Sequence, residues 1–228
     1  MGSFRTLDDL ESELGSVAGK VALVRVDLNL PMLEGSVTDT TRIRASAPTI
    51  LELADAGAKV LLLAHFGRPK GQRSSTLSVS MTLNAVEDVL GREVMFVPEV
   101  GGSVVAQSVG ILGNGDIAML ENTRFWPGEE ANDPEFAAFI AENGDFYVND
   151  AFSAAHRATG ERREQMREPF RAGMSAMESE LKALEAALDR PEKPVAAVVG
   201  GAKVSSKLAV LEHLVGKVDQ MFENGKLG

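Results

Sequence analysis

The sequence KVALVRVDLNLP, residues 20–31, begins with an almost uninterrupted apolar run and then changes to polar side chains. A strand that is apolar nearly throughout is typical of a parallel sheet covered by helices on both faces. Similar apolar runs follow at residues 58–64, 93–97, 116–120, 145–148 and 195–199. We therefore predict an α/β protein with several buried parallel strands.

Stretches with helical spacing lie between these apolar runs. Ile43, Ala47 and Ile50 share one helical face, and Pro48 is expected either to kink that helix or to begin it. Asp133 followed by Pro134 predicts a capped helix start, and residues 174–188 predict a strongly amphipathic helix. The alternation of strand and helix predicts a doubly wound, Rossmann-like parallel sheet with helices on both faces and right-handed crossovers.

The composition narrows the possible classes of function. The chain has 33 acidic and 23 basic residues, and its formal net charge of -10 argues against a broad nucleic-acid surface. There is no cysteine, which excludes disulfides and cysteine-ligated metals. No apolar run reaches the roughly 18 residues of a membrane span, and the N-terminus lacks the apolar core of a secretory signal. We expect a cytoplasmic protein.

Polar and cationic residues follow the predicted strands at the point where each strand ends. They include Asp27, Asn29, His65, Gly67, Arg68, Glu121, Asn122, Arg124, Asn149, Asp150, His156 and Arg157. Any one of them could be a structural turn residue. However, the carboxyl ends of parallel strands meet at one sheet edge, where arginines repel one another unless an anion or carboxylates compensate their charge. Because arginine binds phosphate and carboxylate bidentately, we predict a pocket for a small, multiply anionic molecule.

A second anion site is predicted at residues 200–207, GGAKVSSK. Gly200 and Gly201 follow an apolar run and would let backbone N–H groups approach a ligand, at the start of a helix that favours negative charge. Lys203 and Lys207 are four residues apart and share one helical face. Two solvated lysines are the alternative, mainly for Lys207. The chain contains neither a Walker A loop nor a dinucleotide fingerprint.

The segment DRPEKP, residues 189–194, is a proline-bounded linker. We expect a first domain at residues 1–172, a helix and linker at residues 173–193, and the incomplete start of a second domain at residues 194–228. That last piece is too short to have its own core. Residues 157–171 are rich in arginine and glutamate and are predicted to form a solvated loop or helix.

Seven motifs occur in the order and spacing of phosphoglycerate kinase, and the chain resembles the N-terminal domain of that family plus the first piece of its C-terminal domain. The motifs are RVDLNLP, TRIRASAPTI, HFGRPKG, ENTRFWPGEE, NDPEF, VNDAFSAAHR and GGAKVSSK. The resemblance covers nearly all of the chain except about residues 159–171. It implies reversible phosphoryl transfer between 1,3-bisphosphoglycerate and ADP, giving 3-phosphoglycerate and ATP, a step of glycolysis.

The resemblance also implies roles for single residues. The N-terminal domain would bind the glycerate substrate through Asp27, Asn29, Arg42, His65, Arg68, Arg124, His156 and Arg157. The nucleotide would be bound by Gly200, Gly201, Ala202, Lys203 and Lys207. The catalytic residues would be Arg42, Lys203 and Lys207, acting by positioning and charge neutralisation without a covalent intermediate.

The resemblance implies one cofactor, Mg²⁺, which would arrive with ADP or ATP. Its protein ligand is expected in a later part of the family's C-terminal domain, and no metal ligand is predicted in this chain. The family is usually monomeric. Two departures from the family pattern stand out: Ser206 replaces a residue that is usually acidic, and residues 159–171 are more polar than in the family, as in a local reading-frame error or a diverged loop.

Three functions stay open at this point. The chain could be a phosphoglycerate kinase, a module that binds 3-phosphoglycerate without transferring a phosphoryl group, or an inactive fragment. We expect it to be incomplete for catalysis, because most nucleotide contacts of the family come from the part that follows.

Overall fold

The computed structural model describes residues 7–151 and three short strands at Arg171–Gly173, Ala196–Gly200 and Gln220–Asn224. The chain divides into two compact units, Met1–Glu178 and Ser179–Gly228. The finer limits given above, at residues 172 and 193, stay predictions.

The first unit is built on a six-stranded parallel sheet. The described strands of this unit are β1 (Val21–Arg25), β2 (Met32–Leu33), β3 (Ser36–Val37), β4 (Lys59–Leu63), β5 (Val94–Val97), β6 (Ile117–Leu120), β7 (Phe146–Asn149) and β8 (Arg171–Gly173). Those of the second unit are β9 (Ala196–Gly200) and β10 (Gln220–Asn224). The order across the large sheet is β5-β6-β4-β1-β7-β8, and every neighbouring pair is parallel. The apolar runs that predicted strands in this unit form β1, β4, β5, β6 and β7.

Helices cover both faces of this sheet. They are α1 (Leu7–Leu14), α2 (Thr41–Asp55), α3 (Leu83–Leu90), α4 (Gly102–Ile111), α5 (Pro127–Ala131) and α6 (Pro134–Ala141). One apolar cluster joins Val24 and Leu62 to α1, α2 and α3, whereas the adjacent residues Leu23 and Leu61 join a second cluster with α4 and α6. Successive side chains of a strand point to opposite faces, so each strand contributes to both clusters. The predicted doubly wound fold is confirmed.

The starts of two helices test the sequence predictions. Helix α2 begins at Thr41 and continues through Pro48, so the proline does not begin the helix. The Pro48 side chain is exposed, so its ring does not disturb the packing of the hydrophobic core. Helix α6 starts as predicted, because the Asp133 carboxylate accepts a hydrogen bond from the N–H of Glu135 at 2.9 Å. The helix predicted over residues 174–188 lies outside the described residues.

The sequence analysis predicted neither the β2–β3 hairpin nor strand β8 of the first unit. The antiparallel hairpin of β2 and β3 follows the site residues of β1, and its strands have two residues each. Strand β8 pairs with β7 through Arg171, the last residue of the segment predicted as a solvated loop or helix. None of the helices in the described part of the chain is long and apolar enough to cross a bilayer.

The second unit contains the parallel pair β9 and β10, in which Ala196 lies opposite Gln220 and Gly200 opposite Asn224. The strand predicted at residues 195–199 is β9. Gly200, the first glycine of the predicted second anion site, is the last residue of that strand.

Candidate functional site

Four adjacent strands, β6, β4, β1 and β7, end at one edge of the large sheet. Asp27 and Asn29 follow β1, His65 and Arg68 follow β4, and Arg124 follows β6. The sheet order therefore brings to one edge these five residues that the sequence predicts for a single anion site.

Helix α2 supplies the next residue of this edge, Arg42, in its first turn. The Arg42 Nη1 donates to Asp27 Oδ2 at 2.8 Å and to the Asn29 carbonyl oxygen at 3.2 Å. The Arg42 side chain is 49% exposed, whereas that of Asp27 is 13% exposed. Arg42 is thus tied to the end of β1 while half of its side-chain surface stays accessible to a ligand.

The start of α2 is fixed by Asp39. Its Oδ1 accepts hydrogen bonds from the Thr41 hydroxyl at 2.6 Å and from the Thr41 N–H at 2.7 Å. These bonds, first from the hydroxyl and then from the backbone, hold the pKa of Asp39 below its usual range. Asp39 orders the turn immediately before Arg42.

The loops after β1 and β4 meet at Gly67, which donates its N–H to Asn29 Oδ1 at 3.0 Å. Gly67 has a φ of +62°, and a Cβ there would lie 2.7 Å from Leu77 Cδ2. Both the backbone conformation and the missing space explain why a glycine stands between His65 and Arg68.

His65 is buried, with 6% of its surface exposed. Its Nδ1 lies 2.8 Å from Nη2 of Arg25, a residue of β1 that is 1% exposed. The Arg25 Nη1 donates to the carbonyl oxygens of Val26 and Leu63 at 3.2 and 3.3 Å. The sequence reasoning missed Arg25, although an arginine inside the apolar run KVALVRV was a signal that could have found it.

Arg68 and Arg124 differ in their surroundings. Arg68 is exposed and makes no hydrogen bond or ion pair with any residue that the structure describes. Arg124 is 5% exposed, and its Nε donates to Oε2 of the fully buried Glu129 at 3.2 Å. Its Nη1 donates to the Gly67 carbonyl oxygen at 3.0 Å. The charge of Arg124 is therefore compensated inside the protein, and Glu129 is a second residue that the sequence reasoning did not select.

Asn122 connects the loops that carry His65, Arg68 and Arg124. It is fully buried, and its Oδ1 accepts from the backbone N–H groups of Phe66 and Arg124, each at 3.1 Å. Its Nδ2 donates to the carbonyl oxygens of Phe66 and Leu77, each at 2.7 Å. The amide thus makes four hydrogen bonds to backbone groups of three loop segments, which is the full capacity of an asparagine side chain.

The neighbouring Glu121 is a second buried side chain that binds the backbone of these loop segments. Its carboxylate accepts hydrogen bonds from the Ser78 hydroxyl, the Val79 N–H and the Asn122 N–H, at distances from 2.7 to 3.1 Å. Sequence reasoning placed Glu121 and Asn122 at the end of a strand but gave them no role. Their role in the structure is to hold the loops from which the cations project.

Several predicted residues lie outside the described residues, and their roles stay predictions. They are His156, Arg157, Gly201, Ala202, Lys203 and Lys207, together with the variant position Ser206. Among the described residues, no group of three or more His, Asp or Glu could hold a metal ion.

The described edge can bind a small anion. Two of its arginines, Arg42 and Arg124, each have a carboxylate at hydrogen-bond distance, whereas Arg68 has none among the described residues. Arg42 and Arg68 both have an exposed side chain at this edge. Their guanidinium groups match the geometry of phosphate and carboxylate oxygens.

Comparison with known proteins relates the chain to one family. The family model described as phosphoglycerate kinase matches residues 10–228. The phosphoglycerate kinases of Sphingopyxis alaskensis and Zymomonas mobilis are 61% and 56% identical to it over 226 and 224 residues, which are 99% and 98% of this chain but 56% and 55% of theirs. The structure of phosphoglycerate kinase from Coxiella burnetii matches with a TM-score of 0.81 at 33% identity, over 98% of this chain and 55% of that one. The chain spans about half the length of the curated relatives it matches.

Proposed function

The chain belongs to the phosphoglycerate kinase family, and we propose that it serves reversible phosphoryl transfer between 1,3-bisphosphoglycerate and ADP, giving 3-phosphoglycerate and ATP. Its own part in this reaction would be to bind the glycerate substrate. The observation that carries the proposal is the pair of exposed arginines, Arg42 and Arg68, at the edge formed by β6, β4, β1 and β7, with Arg68 lacking an acidic partner among the described residues.

The substrate is a phosphate and a carboxylate on a three-carbon chain, so it needs cations for its two ends and polar groups for its hydroxyl. We assign Asp27 and Asn29 to the hydroxyl and carboxylate region. The basic residues for the charged ends are Arg42, His65, Arg68 and Arg124, with His156 and Arg157 expected to complete the set. Exposed arginine forks on loops held by buried hydrogen bonds would bind these oxygens with little loss of side-chain freedom.

For the chemical step we propose that Arg42, Lys203 and Lys207 neutralise charge on the transferring phosphoryl group. Phosphoryl transfer needs little covalent chemistry from the protein, so positioning and charge neutralisation would supply most of the rate enhancement. Gly200, Gly201 and Ala202 would present backbone N–H groups to the nucleotide phosphates. When bound with the nucleotide, Mg²⁺ would neutralise phosphate charge, and its protein ligand is expected in the later part of the family's C-terminal domain.

Calorimetric titration of the 228-residue chain with 3-phosphoglycerate tests the glycerate site directly. We expect saturable binding that weakens with added salt, because the contacts are ionic. Glycerate, which lacks the phosphate, is the matched control ligand and should bind more weakly. If 3-phosphoglycerate binds no better than glycerate, the proposed site is wrong.

A binding module without kinase activity is the second candidate function. It is favoured by the observation that all the described residues of the glycerate site belong to the unit Met1–Glu178. A coupled assay with 3-phosphoglycerate and Mg-ATP separates the two. Turnover above background supports the kinase, and binding without turnover supports the module.

The remaining expectations follow from family membership and charge. We propose a monomeric, cytoplasmic protein that acts on small molecules and binds neither nucleic acid nor membranes. The formal net charge of -10 supports the expected lack of binding to nucleic acid and membranes, since polyanionic surfaces repel an acidic chain.

A further inference from the structure

We propose that Arg25 is a positioning residue that fixes the neutral form of His65, with the ring proton on Nε2. Arg25 stands at the end of β1 and His65 follows β4, so the contact joins two neighbouring strands of the sheet. The inference concerns a residue outside the predicted anion-binding set, and its functional consequence rests on the proposed function.

The donor and acceptor in the contact follow from chemistry alone. A guanidinium group carries five N–H donors and has no acceptor. The Nη2 of Arg25 lies 2.8 Å from Nδ1 of His65, so Nδ1 must accept and cannot carry a proton. A neutral imidazole has one protonated nitrogen, and that proton is therefore on Nε2.

Burial makes the alternative ring states costly. Arg25 is 1% exposed and His65 is 6% exposed. Protonation of Nδ1 would replace the hydrogen bond by two opposed N–H groups. In the imidazolium it would also place two cations in contact away from solvent. The carbonyl oxygens of Val26 and Leu63 hold the Arg25 guanidinium in place, so it cannot easily turn away.

Arg25 and His65 therefore have different roles at this edge of the sheet. Arg25 is too deeply buried to contact a ligand, whereas His65 would offer an oriented N–H donor at Nε2 and no full positive charge. Substrate affinity would then depend on Arg25 although Arg25 touches no substrate. Its removal would take away the hydrogen bond that keeps Nδ1 unprotonated.

The ring state can be measured on the wild-type chain without any substitution. Long-range ¹H–¹⁵N correlation spectra of the ¹⁵N-labelled chain at neutral pH distinguish the two neutral tautomers and the imidazolium. The His65 signals are assigned by their loss in His65→Gln, since the chain has three histidines. We expect an unprotonated, hydrogen-bonded Nδ1 and a protonated Nε2.

The role of Arg25 is tested by Arg25→Met, which keeps the length of the side chain and removes its donors. We expect a mixed-tautomer signal for His65 and binding of 3-phosphoglycerate weakened by about tenfold, the loss of one hydrogen bond to a charged partner. Arg73→Met is the control, because Arg73 is an exposed arginine held by Glu99 and the Pro98 carbonyl oxygen, outside the site. It should change neither measurement.

The outcomes are separable. An imidazolium or an Nδ1-protonated ring in the wild-type chain overturns the inference, even if Arg25→Met fails to fold. A folded Arg25→Met chain with an unchanged ring signal and unchanged affinity also overturns it. If the wild-type chain binds no 3-phosphoglycerate, the proposed function fails, while the ring measurement still decides whether Arg25 fixes His65.

Discussion

Arg68 and Arg124 differ in how the protein compensates their charge, and this difference sets what their removal should cost. Arg68 is exposed and has no partner among the described residues, so its side chain contributes little to the folded state. Arg124 is buried against Glu129, and its loss would leave a buried carboxylate without its cation. The two arginines can therefore be told apart by comparing stability with affinity.

For Arg68→Ala we predict a loss of affinity without a loss of stability. The dissociation constant for 3-phosphoglycerate should rise by about tenfold or more, because a charge-assisted hydrogen bond is lost. The free energy of unfolding should change by less than about 0.5 kcal/mol. Lys70→Gln is the matched control, since it removes an exposed positive charge two residues away, and equal effects of both substitutions on affinity would contradict a specific role for Arg68.

For Arg124→Ala we predict losses of both stability and affinity. Breaking a buried ion pair from one side costs about 3–5 kcal/mol, so urea unfolding should shift strongly. The double substitution Arg124→Leu with Glu129→Leu removes both charges and should recover most of the stability but none of the affinity. Recovery of 3-phosphoglycerate binding by the double variant would show that Arg124 does not contact the substrate.

Sequence reasoning found Arg42, Arg68 and Arg124, which stand in recognisable motifs, but not their buried neighbours. It missed Glu129 although this residue lies only five positions from Arg124. The pairing of Arg25 with His65 joins residues 40 positions apart and exists only once β1 and β4 lie side by side. Single-residue roles of this kind depend on tertiary neighbours, which no local pattern contains.

Among the elements, the loops at the ends of β4 and β6 act as one piece because they share Asn122. For Asn122→Ala we predict a loss of about 3 kcal/mol or more in the free energy of unfolding, since four buried backbone groups lose a partner. Affinity for 3-phosphoglycerate should fall as well, although Asn122 itself is fully buried. Urea unfolding and calorimetric titration measure the two effects, and wild-type affinity in a destabilised variant would show that the loops keep their arrangement without the amide.

The start of α2 should respond to acid through Asp39. Its pKa is lower in the folded chain than its ordinary value of 3.8, so the ionised form is the one that stabilises the helix start. This stabilisation is fully present above 3.8 and is lost as the pH falls through the lowered folded pKa. Thermal unfolding of wild type and Asp39→Asn should therefore differ most near neutral pH and converge in acid. A constant difference across that range would contradict the assignment.

Strands were easier to predict than the segments that join them. The central strands are apolar on both faces, so their runs stand out from the surrounding sequence. Hairpin β2–β3 has only two residues in each strand, and β8 begins at the end of a polar segment, so neither has a local hydrophobic pattern. Pro48 predicted a helix kink or a helix start. The start is wrong, because the helix begins at Thr41, buries Ile43, Ala47 and Ile50, and continues through the proline, whereas the kink stays a prediction.

At the scale of the whole molecule, the site depends on the sheet order β5-β6-β4-β1-β7-β8. This order brings together the ends of four strands that are far apart along the chain. Sequence patterns predicted the parallel sheet and the chemistry at its edge. The order of the strands, and therefore which loops touch, was not predicted.

Binding to this edge should stabilise the unit Met1–Glu178 against heat. At a concentration of 3-phosphoglycerate 100 times its dissociation constant, mass action gives about 2.7 kcal/mol, or a rise of about 5–10 °C in Tm. Glycerate at the same concentration is the control for ionic strength and for the carboxylate. An equal rise with both ligands would mean that the phosphate makes no specific contact.

The shared Oδ1 of Asn122 also couples the hydrogen exchange of two backbone amides. The backbone N–H groups of Phe66 and Arg124 donate to the same Oδ1, so one rotation of the amide side chain releases both protons to solvent. Backbone protons exchange with deuterium only from such opened states. The two positions, distant in sequence, should therefore take up deuterium with one common opening free energy.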